Sequence, residues 1–208
     1  MIFENTQVFG LENAIIGMRL PMAKDFADAK EKCDSVFTIS PEGIGEKDNA
    51  IMKKLIGADK DGGQPNSKFL RMIHAQVAIT APLYWWKQAD TYKIGTTTNS
   101  TSTMHTLANF PITRQCFEHG EMIPDSVILY LEGLRKEYAK TKDKETWQRL
   151  IVNLPESWMQ TRMLDCDYQT LRNIYHWRKN HKLTEWRTFC DWIEGLPLSW
   201  LLTRAEDN

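Results

Sequence analysis

Between Gly95 and Thr106 the chain reads Gly-Thr-Thr-Thr-Asn-Ser-Thr-Ser-Thr-Met-His-Thr, eight Thr or Ser in twelve residues. The longer segment from Gln76 to Thr113 carries only three charges, Lys87, Asp90 and Lys93. Hydroxyls and backbone N–H groups beside a lysine can hydrogen-bond a phosphate or a ribose without adding charge that must be neutralised. The same composition also suits a polar loop or a Thr-rich edge strand. The glycines of a GxxxxGK[ST] phosphate loop are missing. Gln88, Lys93, Asn99 and His105 are varied polar types. They accompany Pro82-Leu-Tyr-Trp-Trp-Lys-Gln88, an aromatic run able to wall a pocket for a planar ligand.

A second stretch, Arg172 to Arg187, holds Arg172, Arg178, Lys179, Lys182 and Arg187 against one acid, Glu185. His176 and His181 would add two donors near neutral pH. Arg172, His176 and Asn180 recur every four residues, so on a helix they share a face. That face is either solvated or one wall of an anion site. Arg172 is the best candidate for a forked phosphate contact. No Cys or Ser has an evident base beside it, which speaks against nucleophilic catalysis by the protein. Cys33, Cys116, Cys166 and Cys190 are scattered, with no CxxC pair and no zinc-finger spacing to a histidine. They read as free thiols in a reducing cytosol, and no metal site is expected.

The elements that must position these groups follow from length and pattern. The 208 residues suit a single domain over 1–208. Apolar residues are 42%, charged residues 25% and the formal net charge −1, an ordinary globular balance that excludes disorder and coiled coil. A near-neutral chain has no global field to hold nucleic acid or an anionic membrane. No export signal is visible, and Met72 to Trp86 is too short and too polar for a spanning helix. A cytoplasmic protein with no membrane or nucleic-acid partner is therefore expected.

Partial alternation of Ala75, Val77 and Ile79 predicts a strand from Met72 to Ile79, then a helix starting near Ala81-Pro82. Helices are predicted over Lys47–Ile56, Ser126–Tyr138, Thr146–Leu154, Tyr168–Asn180 and Thr184–Leu196. Ile39–Gly45 and Asp59–Asn66 read as loops. The charged run Arg135–Glu145 reads as a solvated helix end. The class is α+β, a small and mainly antiparallel sheet from the first half packed by helices from the second.

The order of these parts resembles the flavin-dependent thymidylate synthases. That family has an apolar strand leading into Gln-x-x-Arg-His-Arg-x-x-Ser-x-Asn-x-x-Ser-x-Arg, then a Leu-Pro, then a helix of Asn-Leu-Arg-Ser-x-x-His type. Here Ala81 to Lys93 is similar to the strand-to-signature run, Leu154-Pro155 to the Leu-Pro, and Thr170-Leu-Arg-Asn-Ile-Tyr-His176 to the second motif. The likeness covers residues 65–185. The Arg-His-Arg triplet is Thr91-Tyr92-Lys93, and Thr96 stands for the first Ser. Asn99 and Ser102 fit after a shift of one, and the closing Arg falls on Met104, beside His105. These departures suit a divergent viral or mobile-element member.

The resemblance implies a homotetramer with sites between subunits, FAD as cofactor, and NADPH and methylenetetrahydrofolate as co-substrates. It implies transfer of a one-carbon unit to C5 of a deoxypyrimidine monophosphate. Lys93, Thr96, Ser102 and Arg172 would then hold the nucleotide. Gln88, Asn99, His105, His176 and Asn180 would contact the flavin or the base. A non-catalytic relative that binds a nucleotide or serves assembly is the alternative.

Overall fold

The structure is a computed structural model that describes residues 1–36, 43–57 and 66–203. Four strands, β1 (Ile2–Phe9), β2 (His74–Pro82), β3 (Thr96–Ser100) and β4 (Met159–Asp167), form an antiparallel sheet in the order β1-β2-β4-β3. Ten α-helices accompany it among the described residues: α1 (Leu11–Arg19), α2 (Phe26–Glu31), α3 (Glu46–Gly57), α4 (Leu83–Ala89), α5 (Thr103–Thr106), α6 (Asp125–Thr141), α7 (Lys144–Val152), α8 (Tyr168–Arg178), α9 (Thr184–Glu194) and α10 (Trp200–Thr203). The expected α+β class is the observed one. Among the described residues no helix is long and apolar enough to cross a membrane.

The chain packs into two compact units. One comprises Met1–Glu4, Ala78–Thr91 and Thr98–Met163. Its core is Leu107, Ile112, Phe117, Leu131, Leu134 and Leu150, closed by α6 and α7. The other comprises the described residues of 5–77, 92–97 and 164–208. There the fully buried Ile15, Ile16, Leu70, Ile73, Tyr168, Trp186 and Phe189 form the interior. Asp48, wholly buried, accepts from Arg19 Nε at 2.8 Å and from the Ser35 hydroxyl at 2.7 Å.

Strand β2 follows the alternation that predicted it: Ala75, Val77, Ile79 and Ala81 are all fully buried. It begins at His74, two residues later than expected, because Lys68–Met72 turns as a 3-10 helix. Pro82 caps α4 from an extended conformation, where its missing N–H loses no bond. The expected loop Asp59–Asn66 lies outside the described residues except for Asn66, and Ile39–Gly45 is described only from Gly43. Arg135–Glu145 is less solvated than expected at its start. Arg135 is mostly buried and grips Glu132 with Nε and Nη2, both at 2.7 Å.

Strand β4 has no counterpart in the sequence reading. On the side facing the buried residues of β2 it carries Gln160, Arg162, Leu164 and Cys166. Two polar groups on the inward face hide the period of two that marks a strand.

Candidate functional site

Helix α8 and the turn before β3 carry the second unit's share of the predicted residues. Asp167 caps α8, its carboxylate accepting from Thr170 N at 2.7 Å. Gly95 presses against this cap: its carbonyl accepts from Asp167 N at 2.9 Å, and its φ is +74°. A Cβ at Gly95 would run into the Asp167 carboxylate and the Thr170 hydroxyl, so glycine is required for space as well as for conformation. Thr170 Oγ1 donates to Ile94 O at 3.0 Å. Arg178 Nε donates to the Tyr92 hydroxyl at 2.8 Å, and its guanidinium stacks 4.7 Å from the Trp186 ring centroid. The turn bearing Lys93 is thus fastened to α8 on both sides of that lysine, whose own side chain is exposed.

Thr96, at the start of β3, donates its hydroxyl to Tyr92 O, so it closes this turn. Arg172 is half-buried on α8, and His176 and Asn180 are exposed. At about 100° per residue, Arg172 lies ~160° from Thr170 and ~120° from Arg178. The side of α8 that holds the Lys93 turn is therefore not the side that carries Arg172 and His176; Asn180 lies beyond α8, which ends at Arg178, two residues before the expected end. Trp177 lies between Thr170 and Asn173 in the same projection and is 73% exposed, with the His176 ring edge-on at 5.1 Å. His181 differs from expectation. Burial, and then Arg178, Lys182 and Arg187, depress its pKa, and its Nδ1 accepts from Leu183 N at 3.1 Å. It is a neutral structural acceptor rather than a second cationic donor.

The first unit holds Gln88, Asn99, Ser102 and His105. Gln88 is half-buried near the end of α4, and Asn99 is exposed on β3, an edge strand. The Thr-rich segment therefore takes the edge-strand form that its composition allows. Ser102 caps α5, accepting from His105 N at 3.3 Å, and the His105 side chain is exposed.

Sequence reasoning missed a polar network that underlies these residues. Arg162 projects from β4 with 15% of its side chain exposed. Its Nε donates to Gln160 Oε1 at 3.0 Å and its Nη1 to Asp90 Oδ1 at 2.8 Å, while its guanidinium lies 4.4 Å from the Trp86 ring centroid. Gln160 Nε2 donates to Thr101 O at 2.7 Å, and Trp86 Nε1 to Gln160 O at 3.0 Å. The network joins the end of α4, next to Gln88, to the exit of β3, next to Ser102. The signal available in the sequence was a cation two residues from Gln160 in a segment that strand periodicity did not reveal.

Neither buried thiol is poised for attack. Burial raises the Cys166 pKa well above its ordinary value and pushes Cys190 up to about 12. A chemistry in which the protein holds and orients its ligands suits this set better than one through a covalent protein nucleophile.

The fold has counterparts of known structure along its whole length. The fold is that of the flavin-dependent thymidylate synthases. One structure of thymidylate synthase X from Helicobacter pylori, with FAD and dUMP, matches at a TM-score of 0.71 and 17% identity, over 100% of both chains. A second from the same organism, also with FAD and dUMP, matches at 0.67 and 16%, over 97% of this chain and 98% of that one. The UMP/dUMP methylase PolB from Streptomyces cacaoi, bound with 5-Br dUMP, matches at 0.59 and 11%, over 93% and 87%. No family model and no curated protein matches the sequence.

Proposed function

We propose that this chain is a flavin-dependent enzyme that transfers a one-carbon unit to C5 of a deoxypyrimidine monophosphate. The observation that carries the reading is the end-to-end agreement of the fold with enzymes crystallised on FAD and dUMP. The residues present fit such ligands. The exposed Trp177 ring, with His176 beside it on α8 and Asn180 in the turn that follows, offers a stacking surface and hydrogen-bonding groups to a planar ring system. Bound flavin supplies hydride chemistry that no side chain can.

In this reading Arg172 and Lys93 hold the nucleotide phosphate, and Thr96 and Ser102 add hydroxyls. Gln88, Asn99 and His105 contact base or flavin, and His176 and Asn180 orient the flavin. Arg172 and the Lys93 turn belong to different sides of α8, which supports a site completed between copies of the chain, in a homotetramer. The second reading, a non-catalytic relative, is favoured by one contact. Tyr92, in the middle of the Thr91-Tyr92-Lys93 triplet, is held by Arg178 and is committed to packing.

Purified protein is expected to take up FAD, seen as flavin absorbance. With dUMP, methylenetetrahydrofolate and NADPH it is expected to form the C5-methylated nucleotide, read by mass. Flavin and dUMP binding without product selects the second reading. Protein that takes up neither FAD nor dUMP overturns both.

A further inference from the structure

Strand β3 ends the sheet, and its pairing with β4 fixes which of its backbone groups face outward. Asp167 N donates to Gly95 O at 2.9 Å, and Thr101 N donates to Thr161 O at 2.9 Å. The two bonds belong to one antiparallel register, in which Thr97 lies opposite Asp165 and Asn99 opposite Met163. In such a ladder alternate residues turn both N–H and C=O to the neighbouring strand, and the residues between turn theirs away. Gly95, Thr97, Asn99 and Thr101 therefore face β4. Thr96, Thr98 and Ser100 present their backbone groups on the other edge, where none of the described strands lies. Thr97, Thr98, Asn99 and Ser100 are all exposed.

An open edge is a template for another strand, and proteins ordinarily block it with charge, proline or a kink. The opposite edge strand β1 has such devices: Glu4 and, at Asn5, a left-handed φ of +53°. From Ile94 to Ala108 there is no Lys, Arg, Asp, Glu or Pro. The β3 edge is also its own complement. Paired antiparallel about Thr98, it sets Thr98 against Thr98 and Thr96 against Ser100. Hydroxyl meets hydroxyl, no like charges meet, and about six backbone hydrogen bonds form. A charged peptide would find no ion-pair partner among the side chains of β3.

We propose that β3 pairs edge to edge with β3 of a second copy of this chain, joining two sheets into one across a two-fold axis at Thr98. The proposal goes beyond the functional reading and does not depend on it. In this pairing Thr97 of the second copy comes opposite Asn99 on the same face of the sheet. The second copy thus adds a side chain to the surroundings of a candidate site residue.

Light scattering on the full-length protein at micromolar concentration tests this. Thr98→Pro removes an outward N–H that β4 does not use, so the sheet within one copy keeps its bonds while the ring obstructs a second strand. It is expected to halve the wild-type mass and to leave the circular dichroism spectrum that of wild type. Thr98→Val keeps the N–H and should keep the mass. Hydrogen exchange of wild type gives a reading that needs no variant. The Thr98 and Ser100 amides should exchange at least about tenfold more slowly in the assembled protein than after dilution to single chains. A wild type of single-chain mass, or a folded Thr98→Pro protein of wild-type mass, overturns the proposal. So do Thr98 and Ser100 amides that exchange unprotected in the assembled protein, a result that would leave the edge open to a different partner. FAD uptake decides the functional reading separately.

Discussion

Two single residues, Gly95 and Arg172, test the nucleotide end of the proposed site. Gly95 combines a left-handed φ with a close approach to Asp167 and Thr170. Gly95→Ala is expected to lower stability by about 1–3 kcal/mol in denaturant unfolding, since both the dihedral and the contact must yield. It should also weaken dUMP binding, because the displaced turn carries Lys93. Arg172 is the forked cation of the proposed site. Arg172→Ala should reduce dUMP affinity about ten- to a hundredfold. Lys93→Ala should lose less, a lysine being a point charge, and the exposed Lys136→Ala should change it little. Calorimetry on the three variants orders them, and an Arg172→Ala protein that binds like wild type removes Arg172 from the site.

Helix α6 is fixed by charge at its side as well as at its start, where Asp125 pairs with Arg114. The Arg135 hydrogen bonds, and then the Ile112 amide at 2.9 Å, bring the Glu132 carboxyl from its ordinary 4.5 down to about 2. Because the folded value lies below the unfolded one, this contribution is complete above about pH 4.5 and is lost as pH falls toward 2. Melting temperatures measured through that window should fall with acid in wild type and fall less steeply in Glu132→Gln. That variant should also be less stable at neutral pH. A wild-type and variant pair with parallel acid limbs would rule the assignment out. At this scale the sequence was legible where apolar spacing was regular, as in α8 and α9, while the cap Asp143 went unread and α7 starts at Lys144 rather than at Thr146. It was illegible in β4, where Gln160 and Arg162 occupy inward positions and are satisfied by partners distant in sequence. Long-range hydrogen bonds leave no local period.

For the whole molecule, eight Trp and nine Met amount to more large apolar surface than one chain readily hides. Trp85, Trp86 and Trp186 are buried. Yet Met22, Ile94, Met122, Leu129, Val152 and Trp177 are each more than seven-tenths exposed. Such groups are ordinary singly but costly to keep in water together, and interface cores favour Trp and Met. Light scattering at micromolar concentration should therefore give about four times the 24.2 kDa chain mass. A mass of one chain would leave the fold intact and remove the site completed between copies. The α+β class and the order of the motifs were legible because they rest on apolar patterning. The candidate site residues came from polar type and helical spacing, as with Arg172 and His176, and their roles from the resemblance; Arg162 stayed hidden with β4.

Strand β4 has one more property, visible once its two sides are compared. One side offers Gln160, Arg162, Leu164 and Cys166, the other Met159, Thr161, Met163 and Asp165, and neither is decisively the greasier. A slip of one residue against β2 would exchange the sides at little loss of apolar burial, so hydrophobicity alone does not specify the alignment. Polar matches specify it instead: Thr80 with Thr161 at 2.7 Å, His74 Nδ1 with Asp165 at 3.0 Å, and Tyr168 N with Ile73 O at 2.9 Å. The strand is addressed like a keyed connector, by discrete pins rather than by a smooth fit. The same pin set that aligns the sheet also brings Arg162 to Asp90, so the alignment of β4 and the closing of this ion pair are one event.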